Sequence, residues 1–115
     1  MIDWERFNEE FVQYFDKAFV LQIIDMFLAE YDARLSVIEQ NILDLDFAHV
    51  KSNAHDLKSL TGNFRASLPE ALARELEQMG AENKNEGLIE VFQKLKPAVI
   101  ELSQELITYR MTLIS

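Results

Sequence analysis

The chain has 115 residues, of which 49% are hydrophobic, and its 20 acidic and 11 basic side chains give a formal net charge of -9 at pH 7. This size and hydrophobic content predict a single domain, spanning residues 1–115, with one core. The acidic balance argues against nucleic acid or an anionic membrane as a partner, and the absence of cysteine excludes disulfides and cysteine zinc sites.

The first half of the chain predicts two helices and the start of a third. Strand-like alternation is hard to find, and only three glycines and two prolines interrupt the sequence, so we expect an all-helical protein. Asp3 is a suitable N-cap for a short first helix. The apolar side of that helix should lie across one end of a bundle and carries Trp4, Phe7, Phe11, Tyr14 and Phe15. A long second helix is predicted from about Asp16 through Ile42, and either Asp44 or Asp46 should cap the third.

The second half predicts three helix boundaries and one irregularity. Ser67-Leu68-Pro69-Glu70 has the pattern of a capping box that opens the fourth helix. That helix should stop at Gly80 or shortly beyond it. Asn85-Glu86-Gly87 should open the last helix. Pro97 lies inside the last helix, so we expect either a kink near residues 94–96 or two helices that meet there.

Four long helices with short connections should pack as antiparallel neighbours. The predicted fold class is therefore all-α, an up-down-up-down four-helix bundle with the short N-terminal helix capping one end. Because such bundles host many functions, the fold alone does not assign one.

The third helix carries the residues of greatest chemical interest. Its apolar positions form one stripe, consisting of Phe47, Val50, Ala54, Leu57, Thr61 and Phe64. We expect this helix to end near Arg65. His55 falls about 130° from the centre of the stripe, so its imidazole should face water.

His55 shares its exposed strip with two lysines and two small residues. Lys51 lies one turn before it, Lys58 and Ser59 lie one turn after it, and Gly62 lies about two turns along. A neutral imidazole is a nucleophile that can attack a phosphoryl group, and a nearby ammonium can stabilise charge on the phosphoryl oxygens. Gly62 would let another protein approach closely. The spacing alone also fits an ordinary solvated surface.

Other polar residues suggest no further site. His49 lies six positions before His55 on a different side of the helix, so the two cannot bind one metal ion, and we interpret His49 as a flanking residue or a helix-packing donor. Asp56 projects about 100° away from His55 and should not orient its imidazole. There is no glycine-rich phosphate loop and no Glu-x-x-His motif for a di-metal site.

The segment Ala54-His55-Asp56-Leu57-Lys58, followed by small residues and a glycine, resembles the phosphoacceptor motif of histidine-containing phosphotransfer (HPt) domains, His-x-Leu-Lys-Gly-Ser-small. Asp46-Phe47 resembles the start of the phosphoacceptor helix in that family. The segment with Leu72, Leu76 and Glu77 resembles the family's next helix. The resemblance covers nearly the whole chain, although only residues 54–58 are specific. The family usually has glycine at the position of Ser59, and it often has another glycine at the position of Arg65.

The resemblance implies a phosphorelay intermediate. His55, through its more exposed Nε2, would accept a phosphoryl group from a receiver-domain phospho-aspartate and pass it to another receiver aspartate. Lys58 would stabilise the phosphoryl charge, while Lys51, Ser59 and Gly62 would belong to the partner-docking surface. The chain would be a carrier and not an enzyme, with no cofactor or metal of its own, because the acidic pocket and Mg²⁺ belong to the receiver.

The expected partners are response-regulator receiver domains, a hybrid histidine kinase, or both, bound by a monomer. No apolar run reaches the roughly 18 residues of a membrane-spanning helix, and the first 15 residues lack a secretory apolar core. We therefore expect a soluble cytoplasmic protein. The departures at Ser59 and Arg65 leave open a second hypothesis, a bundle that binds a receiver or kinase as a regulatory or scaffold module without being phosphorylated.

Overall fold

The computed structural model describes residues Met1–Ser115 and confirms the all-helical prediction. Its five α-helices are α1 (Trp4–Glu10), α2 (Lys17–Leu43), α3 (Phe47–Gly62), α4 (Ser67–Ala81) and α5 (Leu88–Ile114), with a single 3-10 turn at Val12–Tyr14. None of these helices combines the length and apolar character needed to cross a membrane.

Three aspartates start the first three helices as N-caps. The Asp3 side chain accepts a hydrogen bond from the backbone N–H of Arg6, three residues later, at 3.2 Å. Asp16 and Asp46 do the same for α2 and α3, at 2.8 and 3.3 Å. The N-cap predicted at Asp3 and the helix start predicted near Asp16 are confirmed, and of the two candidates for α3 the structure selects Asp46.

The predicted capping box at the start of α4 is wrong. Ser67 is already the first helical residue, and the N-cap is Ala66, which offers no side-chain hydrogen bond. Ala66 is held in an extended conformation by an antiparallel bridge to Ile2, so the helix begins one residue earlier than a serine cap requires. The Glu70 carboxylate instead forms an ion pair with Arg74, one turn later in the helix. Pro69 lies in the first turn, as predicted.

α3 and α4 pack side by side in opposite directions. Near the start of α3, Lys51 lies against Gly80, which is close to the end of α4. At the other end of α3, Gly62 lies against Glu70, which is close to the start of α4. α2 contacts α3 and α5, and α4 also contacts α5, so each of the four longer helices has two neighbours. Their complete up-down-up-down order stays a prediction.

The N-terminal segment packs where α3 ends and α5 finishes. The ring of Phe7 is fully buried, and its centroid lies 5.9 Å from those of both Phe64 and Tyr109. The predicted inward side of this segment is only partly correct, because Tyr14 is 74% exposed and Phe15 43% exposed. The 3-10 turn after α1 breaks the helical phase and carries both rings outward.

α5 is one continuous helix that begins after Gly87 and includes Pro97. The alternative of two helices meeting near Pro97 is therefore wrong. Pro97 and Gln93 are both exposed, so the carbonyl that loses its hydrogen bond to the proline can bond to water. α4 ends at Ala81, one residue beyond Gly80, as expected.

Candidate functional site

The apolar stripe of α3 places His55 on the outer face of the bundle. Val50, Ala54 and Leu57 are fully buried, whereas the His55 side chain is 58% exposed. The imidazole therefore faces solvent, as the helical spacing predicts.

Glu77 of α4 joins His55 and Lys58 into one cluster. Its carboxylate oxygens lie 3.0 and 3.1 Å from His55 Nδ1. The same two oxygens accept hydrogen bonds from Lys58 Nζ at 2.9 and 3.0 Å. The Glu77 side chain is only 17% exposed and that of Lys58 22%, so solvent screens this ion pair less than a pair on the open surface.

The cluster fixes the charge of Glu77 and the tautomer of His55. The hydrogen bond from Lys58 is the main cause that lowers the pKa of the Glu77 carboxyl, and the His55 hydrogen bond adds to it, against the opposing effect of burial. Glu77 is therefore ionised near neutral pH. Because a carboxylate only accepts hydrogen bonds, His55 Nδ1 must be the donor, which leaves the lone pair of a neutral imidazole on Nε2.

The predicted docking residues lie around this cluster without joining it. Lys51 is exposed and makes no ion pair, and Ser59 is exposed. Gly62 is half-buried, and a Cβ there would meet the Glu70 carboxylate in ordinary contact at 3.5 Å. A shallow depression of about 530 Å³ lies beside the imidazole and is lined by Ala48, Lys51, Ser52, His55, Asp56 and Glu77.

Gly80 sets the distance between α3 and α4. A Cβ at this position would lie 2.7 Å from the backbone nitrogen of Lys51 and 2.9 Å from the carbonyl oxygen of Phe47. Only glycine allows the two backbones to approach so closely. Glu77 precedes Gly80 by less than one turn, so this close approach helps to bring its carboxylate to His55.

Sequence patterns alone give neither Glu77 nor Gly80 a role in the site. They place Glu77 only in a helix that resembles a family pattern, and Gly80 only at a helix end. No local spacing signals either role, because Glu77 lies 22 residues from His55 and meets it through helix packing.

His49 has a structural role near the start of α3. Its Nδ1 lies 2.6 Å from the Asp46 carboxylate, which also caps the helix. The imidazole is 65% exposed. No group of three or more histidine, cysteine, aspartate or glutamate side chains in the structure is arranged to hold a metal ion.

The chain is similar to a known protein family over most of its length. A family model described as "Hpt domain" matches residues 22–108. The matched range contains most of α2 and α5, all of α3 and α4, and thus His55, Lys58 and Glu77. No curated protein and no solved structure gives a significant match.

Proposed function

Because the chain belongs to the Hpt domain family, we propose that it is a phosphorelay intermediate in which His55 carries the phosphoryl group. The family implies phosphotransfer in two-component systems, by domains that are phosphocarriers and not catalysts. The observation that supports His55 most directly is its hydrogen bond to Glu77, because it occupies Nδ1 and so directs the lone pair of the neutral, solvent-exposed imidazole to Nε2.

The transfer requires one bond to form and one to break. The Nε2 lone pair attacks the phosphorus of a receiver's aspartyl phosphate, an N–P bond forms, and the P–O bond to the aspartate breaks, which returns the electron pair to that carboxylate. The imidazole becomes positively charged, and the Glu77 carboxylate at Nδ1 stabilises that charge. Transfer to the aspartate of a second receiver is the same step in reverse.

Lys58 is the residue we assign to the phosphoryl oxygens. Its ammonium lies one helical turn from His55 and is held by Glu77, so it is already ordered before a partner arrives. Phosphoryl transfer depends mainly on positioning and on positive charge near the equatorial oxygens. Lys51 adds weaker positive potential from the opposite side of His55. Mg²⁺ and the acidic residues that assist transfer belong to the receiver in this proposal.

The docking surface we propose surrounds His55. Ser59 and Gly62 present little side-chain bulk to a partner, and we extend the proposed surface to the groove between α2 and α3, which offers the exposed side chains of Ala33 and Val37. Hpt domains interact in general with receiver domains and histidine kinases. We propose that this chain binds such partners in the cytoplasm as a monomer, transiently, through an interface at the small end of the usual range.

The direct test is phosphorylation by a phosphorylated receiver domain with Mg²⁺, followed by intact mass measurement at neutral to alkaline pH. The wild type should gain one acid-labile phosphoryl group, and His55→Gln should gain none. His49→Gln is the matched control, because His49 is an exposed histidine on the same helix, and it should behave as the wild type.

Two results would contradict the proposal. Phosphoryl gain in His55→Gln would place the acceptor elsewhere. Binding of a receiver without any phosphoryl gain in the wild type would favour the regulatory bundle that is not phosphorylated.

A further inference from the structure

A second depression lies between α1 and the C-terminal half of α5 and shares no residue with the depression beside His55. Its volume is about 480 Å³, and its walls include Trp4, Glu101, Glu105, Thr108, Tyr109 and Thr112. None of these residues belongs to the phosphotransfer site. The depression therefore needs an explanation of its own.

One carboxylate oxygen of Glu105 is buried without a hydrogen-bond donor. Its Oε2 is shielded from solvent and accepts no hydrogen bond. The Met1 ammonium forms an ion pair with this oxygen at 4.0 Å, a distance too long for a hydrogen bond. A shielded carboxylate oxygen without a donor costs free energy, and because the Glu105 side chain is 23% exposed, a ligand that turns this carboxylate toward its own N–H group would recover that cost.

The remaining walls favour a positive ligand. The ring centroids of Trp4 and Tyr109 lie 4.8 Å apart, and burial raises the pKa of the Tyr109 phenol, which therefore stays neutral at physiological pH. Aromatic rings attract cations through their faces. Glu101, one turn before Glu105 on α5, adds a second negative charge. Two carboxylates are too few to make a metal centre here.

We propose that this pocket binds an organic cation with N–H donors, either a guanidinium or a primary ammonium group. Glu105 would accept the hydrogen bond, Glu101 would add electrostatic attraction, and the Trp4 and Tyr109 rings would contact the cation. This group could come from a free amine such as a polyamine or from an arginine or lysine side chain of a partner protein. The proposal is independent of phosphotransfer, because no residue is shared between the two sites.

Trp4 is the sole tryptophan of the chain, so its fluorescence reports directly on this pocket. Titration with methylguanidinium at constant ionic strength should give a saturable change in emission. Tetramethylammonium, a cation without N–H donors, should bind at least about tenfold more weakly. Parallel titrations with spermidine and with a short arginine peptide would show which source of the cation binds more tightly.

Glu105→Gln is the decisive variant, because it keeps the shape of the side chain and removes its charge. It should weaken methylguanidinium binding about tenfold or more, while circular dichroism confirms that the helices are retained. His55→Gln is the matched control and should leave the titration unchanged. A response that does not saturate, or one that Glu105→Gln leaves unaltered, would overturn the proposal.

Discussion

Nδ1 of His55, on α3, lies 3.0 Å from a carboxylate oxygen of Glu77, on α4. The same carboxylate holds the Lys58 ammonium at 2.9 Å. One acidic side chain therefore orients the proposed nucleophile and the proposed phosphoryl-stabilising cation together. Because Glu77 acts through His55 and Lys58, we assign it as a positioning residue.

Replacing Glu77 should slow phosphorylation of His55. In Glu77→Ala the imidazole loses its acceptor at Nδ1 and the countercharge for the imidazolium that forms during transfer. A charge-assisted hydrogen bond contributes roughly 1.5–3 kcal/mol, so the single-turnover rate with a phosphorylated receiver should fall about 10- to 100-fold.

Two further variants separate orientation from charge at this position. Glu77→Gln keeps an acceptor for Nδ1 without the charge and should give an intermediate rate. Glu75→Ala removes an exposed acid of the same helix and should react as the wild type. Equal rates for Glu77→Ala and the wild type would show that Glu77 has only a structural role.

Lys58→Ala should slow transfer more than Lys51→Ala. Lys58 is held beside His55 by Glu77, whereas Lys51 is exposed and unpaired. Loss of one charge-assisted contact to the phosphoryl oxygens predicts a decrease of about 10- to 100-fold for Lys58→Ala. Lys51→Ala should cost less than about threefold, since an exposed charge is screened by solvent. The transfer rate of each variant can be measured by quenching the reaction at set times and determining the phosphorylated fraction by intact mass. A larger effect of Lys51→Ala than of Lys58→Ala would refute the assignment.

Gly80→Ala should destabilise the fold. Its Cβ would lie 2.7 Å from the Lys51 backbone nitrogen, and backbone atoms cannot move aside as a flexible side chain can. Overpacking of this kind costs typically about 1–3 kcal/mol, measured as the free energy of unfolding in urea. Gly62→Ala is the matched control, because its Cβ would only reach ordinary contact with Glu70. If both variants were equally stable, the close approach at Gly80 would not limit the packing.

The Glu77 cluster also predicts a pH dependence of stability. The pKa of Glu77 is lowered in the folded state, chiefly by the Lys58 hydrogen bond, relative to its ordinary value of 4.5. Its contribution is therefore fully present above that ordinary value and is lost as the pH falls through the folded-state pKa. The wild type should be more stable than Glu77→Gln in urea at pH 7, and the difference should shrink at pH values below about 4.5. A difference that stayed constant with pH would exclude this linkage.

Local patterns predicted much of the fold because local physics determines it. Asp3, Asp16 and Asp46 cap helices through hydrogen bonds three residues away, and the 3.6-residue period places His55 outside. The failures involve tertiary contacts. Ser67 does not act as the predicted N-cap, because a bridge between distant segments fixes the backbone of Ala66 before it. Glu77 meets His55 only after two helices have packed.

Arg65 provides the last prediction, at a position where the family often has glycine. Its φ of 55° lies in the left-handed region, which costs a non-glycine residue roughly 1–2 kcal/mol. Its side chain offsets part of that cost, because Nε donates to Glu10 at 2.7 Å and Nη1 donates to the Gly62 carbonyl at 2.9 Å.

The two contributions of Arg65 can be separated with a pair of variants. Arg65→Ala loses the side-chain contacts and keeps the backbone cost, whereas Arg65→Gly loses the contacts and the cost together. Arg65→Gly should therefore be the more stable of the two by about 1 kcal/mol in urea unfolding. Both variants should still accept a phosphoryl group at His55, since Arg65 bonds to Glu10 and to the turn after α3 and not to the site. Equal stabilities would mean that the left-handed conformation carries no cost at this position, and loss of phosphoryl acceptance would show that Arg65 takes part in docking the receiver.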